Sequence, residues 1–163
     1  MDNPLAIFDA SREVSTIEMN AMVVQVQDCL LQMEQADIVT LHKFLPGIYE
    51  RTIVIPPWTV LTGAEHKTAY RVRLERGTIA VNTDTDVKIL TGPCEFDAPA
   101  GFQRAGRVFE DEVVWTDIYA NPDNCRNIEE LENKLYVVPD IGLGDNRQLI
   151  KGELLWQDGL PQP

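Results

Sequence analysis

Two hydrophobic rhythms divide this chain. Residues 1–14 show neither. From Ser15 the run Ser-Thr-Ile-Glu has the form of a capping box. Ile17, Met22, Val23, Val26, Leu30, Leu31 and Met33 then recur at helical spacing to about Glu34, which predicts an amphipathic helix. Its polar side carries Gln, Asp and Glu instead of Lys and Arg, so the apolar stripe is expected to pack on the body of the domain or on a second subunit, not on lipid.

From about Val39 the period changes. β-Branched residues alternate with polar ones between turn residues, which predicts strands at 39–44, 48–55, 59–62, 69–75, 78–83, 86–91, 94–97 and 112–119. Short strands so closely spaced indicate an all-β barrel or sandwich. A short closing helix is predicted from Asn127, an N-cap type residue with Glu129 and Glu130 in the following turn and Ile128, Leu131 and Leu135 aligned. After Pro139 the period is lost. The segment to Pro163 keeps Leu149, Ile150, Leu154, Leu155 and Trp156 among glycines and prolines, and reads as an extended arm whose hydrophobes contact a partner or a second copy. The chain is thus expected to divide into an N-terminal segment with a helix (1–38), a barrel with its closing helix (39–138) and a C-terminal arm (139–163).

Composition narrows the function. At 163 residues, 44% of them hydrophobic, the chain can bury one real core. The 26 acidic against 14 basic residues, a net charge of -12, argue against nucleic acid as a partner, because phosphate binding relies on Lys and Arg. No apolar run approaches a membrane span, so no membrane partner is expected. The start Met1-Asp2-Asn3-Pro4 lacks the basic and apolar regions of a signal peptide, and a cytosolic origin is expected. Cys29, Cys94 and Cys125 are widely spaced and are read as reduced thiols. Glycine-rich phosphate loops are missing, and the only serines, Ser11 and Ser15, precede the barrel.

The remaining candidate chemistry lies between Trp58 and Tyr119. His66 stands four residues before Tyr70, and Gly77 seven beyond it; further on, Pro99-Ala100-Gly101 precedes Arg104. This spacing resembles the cupin superfamily, whose first motif is two His separated by one residue, a Glu and a hairpin Gly, and whose second is Pro-x-Gly followed by His. The resemblance implies a cupin-type jelly-roll barrel, mainly β. It puts the family's ligand positions at Ala64, His66, Tyr70 and Arg104. Only His66 among them is a usable metal ligand, and a guanidinium is permanently cationic with no lone pair. An open metal site needs at least three donors, so neither a metal nor a cofactor is expected. His42 and His66, if adjacent strands bring them close, are the fallback pair should a metal be found.

A narrower resemblance is carried by Leu45-Pro46-Gly47-Ile48-Tyr49-Glu50-Arg51-Thr52-Ile53-Val54-Ile55-Pro56, by Thr59–Gly63 and by His66-Lys67-Thr68. Glu110-Asp111, Val114-Trp115-Thr116, Asn121-Pro122 and the helix with Glu129, Leu131 and Glu132 extend it. These runs are similar to the small cupin-like proteins of tailed bacteriophages, over roughly residues 15–138. Members of that group carry further histidines where this chain has Tyr70, Phe109 and Tyr119. The resemblance implies a non-catalytic structural protein of the virion, in a capsid decoration, the neck or the tail. Such a protein is made in the host cytoplasm, associates with itself as a dimer or trimer, and contacts other phage structural proteins. The alternative is a cytosolic cupin enzyme or small-molecule-binding protein, with His66, Tyr70 and Arg104 gripping a carboxylate or phosphate. Against that stands an interior in which Arg104 pairs with Glu75 or Glu95.

Overall fold

The computed structural model describes residues 16–83, 86–101 and 103–137. The expected arm, with Leu149, Ile150, Leu154, Leu155 and Trp156, lies outside these residues, as does Ser15 of the capping box. The elements run α1 (Thr16–Leu30), β1 (Val39–Leu45), β2 (Ile48–Ile55), β3 (Val60–Thr62), β4 (Glu65–His66), β5 (Tyr70–Arg76), β6 (Thr78–Asn82), β7 (Val87–Thr91), β8 (Cys94–Ala98), β9 (Ala105–Val108), β10 (Val113–Ala120), α2 (Ile128–Leu135) and β11 (Tyr136–Val137).

The strands form a five-stranded sheet, β1-β2-β10-β5-β8, a four-stranded sheet, β3-β9-β6-β7, and the short pair β11-β4. Every pairing is antiparallel. Between the two larger sheets lies a core of Ile55, Val72, Leu74, Ile79, Val81, Val108, Val113 and Trp115, closed by Leu131 and Leu135 of α2. Alternation sets this up. In β10 the inward set is Val113, Trp115, Asp117 and Tyr119, and its register against β2 places Asp117 opposite Arg51 and Tyr119 opposite Tyr49. The outer face of the same sheet is polar at its centre, where Arg73 meets Glu50 at 3.0 Å and Arg71 meets both Glu95 (2.8 Å) and Asp97 (2.7 Å).

Two turns show why particular residues stand where they do. Gly77 joins β5 to β6 with φ +91°, and a Cβ there would come within 2.5 Å of the Glu112 carbonyl oxygen, so only glycine fits. Asn127 caps α2, its side chain accepting the Glu130 amide, as the sequence predicts.

The helix α1 packs on the four-stranded sheet. Met19, Val23 and Val26 are buried with Ala105, and Met22, Leu30 and Val60 complete the contact. The apolar stripe therefore faces the barrel. It differs from the predicted stripe at both margins: Met19 belongs to it, whereas the helix ends at Leu30 and leaves Met33 63% exposed.

The eight predicted strands all form, with ends shifted by one residue or less. β4, β9 and β11 were not predicted. β4 and β11 have two residues each, too few to show a period. β9 reads Ala-Gly-Arg-Val, with a glycine that weakens the strand signal and stands against the Ile79 side chain, 2.9 Å from where a Cβ would lie.

Candidate functional site

The sequence-predicted trio meets inside the barrel. His66 comes from β4, Tyr70 from the start of β5, and Arg104 from the segment before β9. The Tyr70 ring stacks on His66 with centroids 3.9 Å apart. The Tyr70 hydroxyl is hydrogen-bonded to the Arg104 side chain. Arg104 Nη1 donates to the Asn82 carbonyl at 3.1 Å, and its guanidinium lies over the rings of Phe96 (5.6 Å) and Trp115 (5.5 Å). The expected acid partners are engaged elsewhere: Glu95 accepts from Arg71, and Glu75 accepts from the Thr116 hydroxyl at 2.7 Å. Arg104 is held by a carbonyl, a phenol and two aromatic faces.

Around the trio the barrel adds groups that the family spacing did not single out. Tyr119 is the hub. Its hydroxyl meets His66 Nε2 at 2.8 Å, donates to Asp117 Oδ2 at 3.0 Å, and lies 3.3 Å from the Tyr136 hydroxyl. Asp117 also accepts the Trp115 indole N–H at 2.8 Å. Arg51 Nη1 donates to Tyr136 at 2.6 Å, while Arg51 Nε is buried without a hydrogen-bond partner. Two guanidiniums thus share one interior with a carboxylate, a histidine and four tyrosines. A sequence signal for Arg51 and Asp117 existed: each occupies an inward position of an alternating strand, and they are register partners on β2 and β10.

The electrostatics follow from burial. His66 is lowered to about 3, first by desolvation and then by the charges of Arg104 and Arg51, so it is a neutral imidazole at pH 7. Tyr70 is pushed up to about 12, again chiefly by burial. Burial also raises Tyr119, Tyr136 and Asp117; for Asp117 the hydrogen bonds from Trp115 and Tyr119 and the charges of Arg104 and Arg51 act the other way. For Arg51, burial works against the charge, but Tyr136, Tyr49 and Glu132 together hold it strongly cationic.

The fallback histidine pair does not assemble. His42 lies on β1, which pairs with β2, whereas His66 lies on β4, which pairs with β11. The stacked rings of Tyr49 and Tyr119 separate them, with successive centroid spacings of 5.9, 5.7 and 5.7 Å from His42 through to His66. His42 Nδ1 is instead 2.7 Å from the Tyr49 hydroxyl. Among the described residues no three His, Cys, Asp or Glu side chains are grouped to hold a metal ion, and the cationic Arg104 at a ligand position opposes one. Phe109, a further position where the bacteriophage proteins carry His, stands outside this cluster, its carbonyl accepting the Trp58 amide at 2.9 Å. Among the described residues no helix is long and apolar enough to cross a membrane.

Antiparallel strands in two facing sheets, with the first-motif residues on β4 and β5 and the second-motif residues leading into β9, complete the pattern expected from sequence. The fold is a cupin-type jelly roll. Solved structures to which the chain is similar include a Cupin_2 domain of an XRE family transcriptional regulator from Enterobacter cloacae, at 14% identity and TM-score 0.46, covering 52% of this chain and 97% of that one. A cupin domain from Bordetella pertussis matches at 17% identity and TM-score 0.44, covering 55% of this chain and 98% of that one. KdgF from Halomonas sp. matches at 12% identity and TM-score 0.47, covering 61% of this chain and 93% of that one. No protein-family model and no curated protein sequence matches the chain. Likenesses this distant concern the fold alone.

Proposed function

We propose that this cupin-type barrel is a non-catalytic structural module of a tailed-bacteriophage particle, its interior serving as a core and not as a reaction site. One observation carries the non-catalytic part. The groups at the barrel's ligand positions are spent on one another: His66 on Tyr119, Tyr70 on Arg104, and Arg104 on the Asn82 carbonyl. A buried polar network of this kind, its members engaged mainly with one another, fixes one packing. The phage context is supported by the resemblance carried by Leu45–Pro56 and the Glu110–Glu132 region, and the arm 139–163 supplies hydrophobes for contacts between subunits. The test has two parts. Native mass spectrometry of the gently purified chain is expected to give a dimer or trimer with no bound metal or small molecule. Mass spectrometry of purified particles is expected to find the chain among their proteins. A particle preparation free of it would end the virion assignment.

A second reading has its own observation. Arg51 and Arg104 are both sunk in the interior, and Arg51 Nε has no partner, as a site for a small carboxylate or phosphate would require. One small anion retained per chain in the native spectrum, lost in the Arg51→Met variant, would favour this binding role.

A further inference from the structure

The α1 helix is joined to the barrel by more than its apolar stripe. Asn20 Nδ2 donates to the Gly101 carbonyl at 3.1 Å, and Asn20 Oδ1 accepts the Gln103 amide at 2.9 Å. About two turns further along, Gln27 Oε1 accepts from Gln103 Nε2 at 2.8 Å, and the same nitrogen donates to the Gly63 carbonyl at 2.7 Å. Behind this contact stands Asn82, fully buried, whose side chain donates to the Gln103 carbonyl at 2.8 Å and accepts the Ala105 amide at 2.5 Å. Gln27 and Gln103 are also buried, at 2% and 3% exposure. Apolar packing alone would hold a surface helix; here it is supplemented by paired amides, all directed at the short run that carries Arg104.

That run is continuous with the interior. The Gly63 amide donates to the Arg104 carbonyl at 2.9 Å, and the Gly101 amide donates to the His66 carbonyl at 3.0 Å. Gln103 turns its side chain to α1, and the next side chain, Arg104, enters the barrel over Trp115 and Phe96. Successive residues of an extended run point to opposite sides, so the position of one fixes the other. Gln27 Nε2 has no hydrogen-bond partner when the helix is docked, and a buried amide in that state favours release.

We propose that α1 is a strap that positions Arg104: docked, it locks the Gln103–Ala105 run and keeps the guanidinium in the barrel; lifted, it frees that run and with it the guanidinium. Gln103 is the positioning residue that couples the two sides. This inference stands on geometry and is independent of the particle role.

The experiment uses the full chain, the Asn20→Ala/Gln27→Ala double variant, and Gln25→Ala, on the exposed side of α1, as the control. Amide hydrogen exchange is followed residue by residue, together with the NMR signal of the Trp115 indole N–H, which lies beside Arg104 and donates to Asp117. Exchange of the Gln103 and Ala105 amides is expected to quicken at least tenfold in the double variant. The Trp115 indole signal should move, and the β2 and β10 amides should keep their protection. The control should leave all of these unchanged. The inference is overturned if Gln103 and Ala105 exchange as in the native chain, or if they quicken while the Trp115 signal stays in place. Should the double variant lose the whole barrel, Asn20→Ala alone decides on the same readouts: it removes the bonds to Gly101 and to the Gln103 amide while Gln27 stays in place, and a quickened Gln103 and Ala105 with a moved Trp115 signal supports the strap while unchanged exchange or an unmoved signal refutes it.

Discussion

Acid should unfold this protein through His66, and the size of the effect can be worked out. In the unfolded chain a histidine titrates near 6.5, and in the barrel His66 is lowered to about 3. The folded state therefore binds fewer protons than the unfolded state across that interval. Stability is fully present above the unfolded value and is lost progressively as pH falls toward 3. Between pH 7 and pH 5 the loss attributable to His66 is about 2 kcal/mol, from roughly 1.4 kcal/mol per pH unit once below 6.5. His42, lowered to about 4 by partial burial and Arg51, acts in the same direction, but the residue is more exposed than His66 and its share is smaller. Asp117 acts oppositely, because a carboxyl raised by burial is relieved by protonation. The assay is equilibrium urea unfolding, followed by tryptophan fluorescence, at pH 7 and pH 5, for the native chain and for His66→Gln. The variant will be less stable at pH 7, having lost the Tyr70 stack, but its drop between the two pH values should be smaller by about 2 kcal/mol. An equal drop in both proteins would show that His66 is not a buried neutral base.

Other expectations are simpler to test. Tyr119→Phe removes the hydroxyl shared by His66, Asp117 and Tyr136 while keeping the ring, and should lower stability by about 3 kcal/mol in chemical denaturation, since one bond goes to a carboxyl group and the partners stay buried. Gly77→Ala combines a positive φ with a clash against backbone, and a loss of roughly 2 to 4 kcal/mol is expected, read as a lowered Tm. Asn127→Ala should cost about 1 kcal/mol by removing the cap of α2, with fraying visible as faster exchange at Glu130. Deletion of residues 140–163 should weaken self-association in native mass spectrometry while leaving the circular dichroism of the barrel intact; unchanged assembly would remove the arm from the account of oligomerisation.

Much of the fold was legible because alternation in strands such as β2 and β10 is strong, and because Gly77, Pro99 and Gly101 mark turns that few other residues tolerate. The meeting of His66, Tyr70 and Arg104 was also legible, through the resemblance to the cupin motifs. The partners of Arg104 were not. Charge matching suggested Glu75 or Glu95, but both lie on exposed strand positions, and the guanidinium is inward, where a carbonyl and aromatic faces surround it. Arg51 and Asp117 were passed over because charged residues in a strand are ordinarily taken as solvated; their inward register was the clue. The pairing of His42 with His66 failed for a topological reason, since β4 is too short to be seen in sequence and its partner is the distant β11.

The arginine at a position where the cupin pattern has a ligand places a metal site several simultaneous substitutions away from this sequence. Rebuilding the four donors of the cupin pattern would take Ala64→His, Tyr70→Glu and Arg104→His together. While Arg104 remains, any added donor sits beside a fixed positive charge that repels the ion. If Arg104 alone is changed, its bonds to Asn82 and Tyr70 are lost, and two imidazoles without a third ligand gain little in return. Each single substitution toward such a site is thus a loss of stability with no neighbouring gain in metal binding, and the present interior is a local optimum.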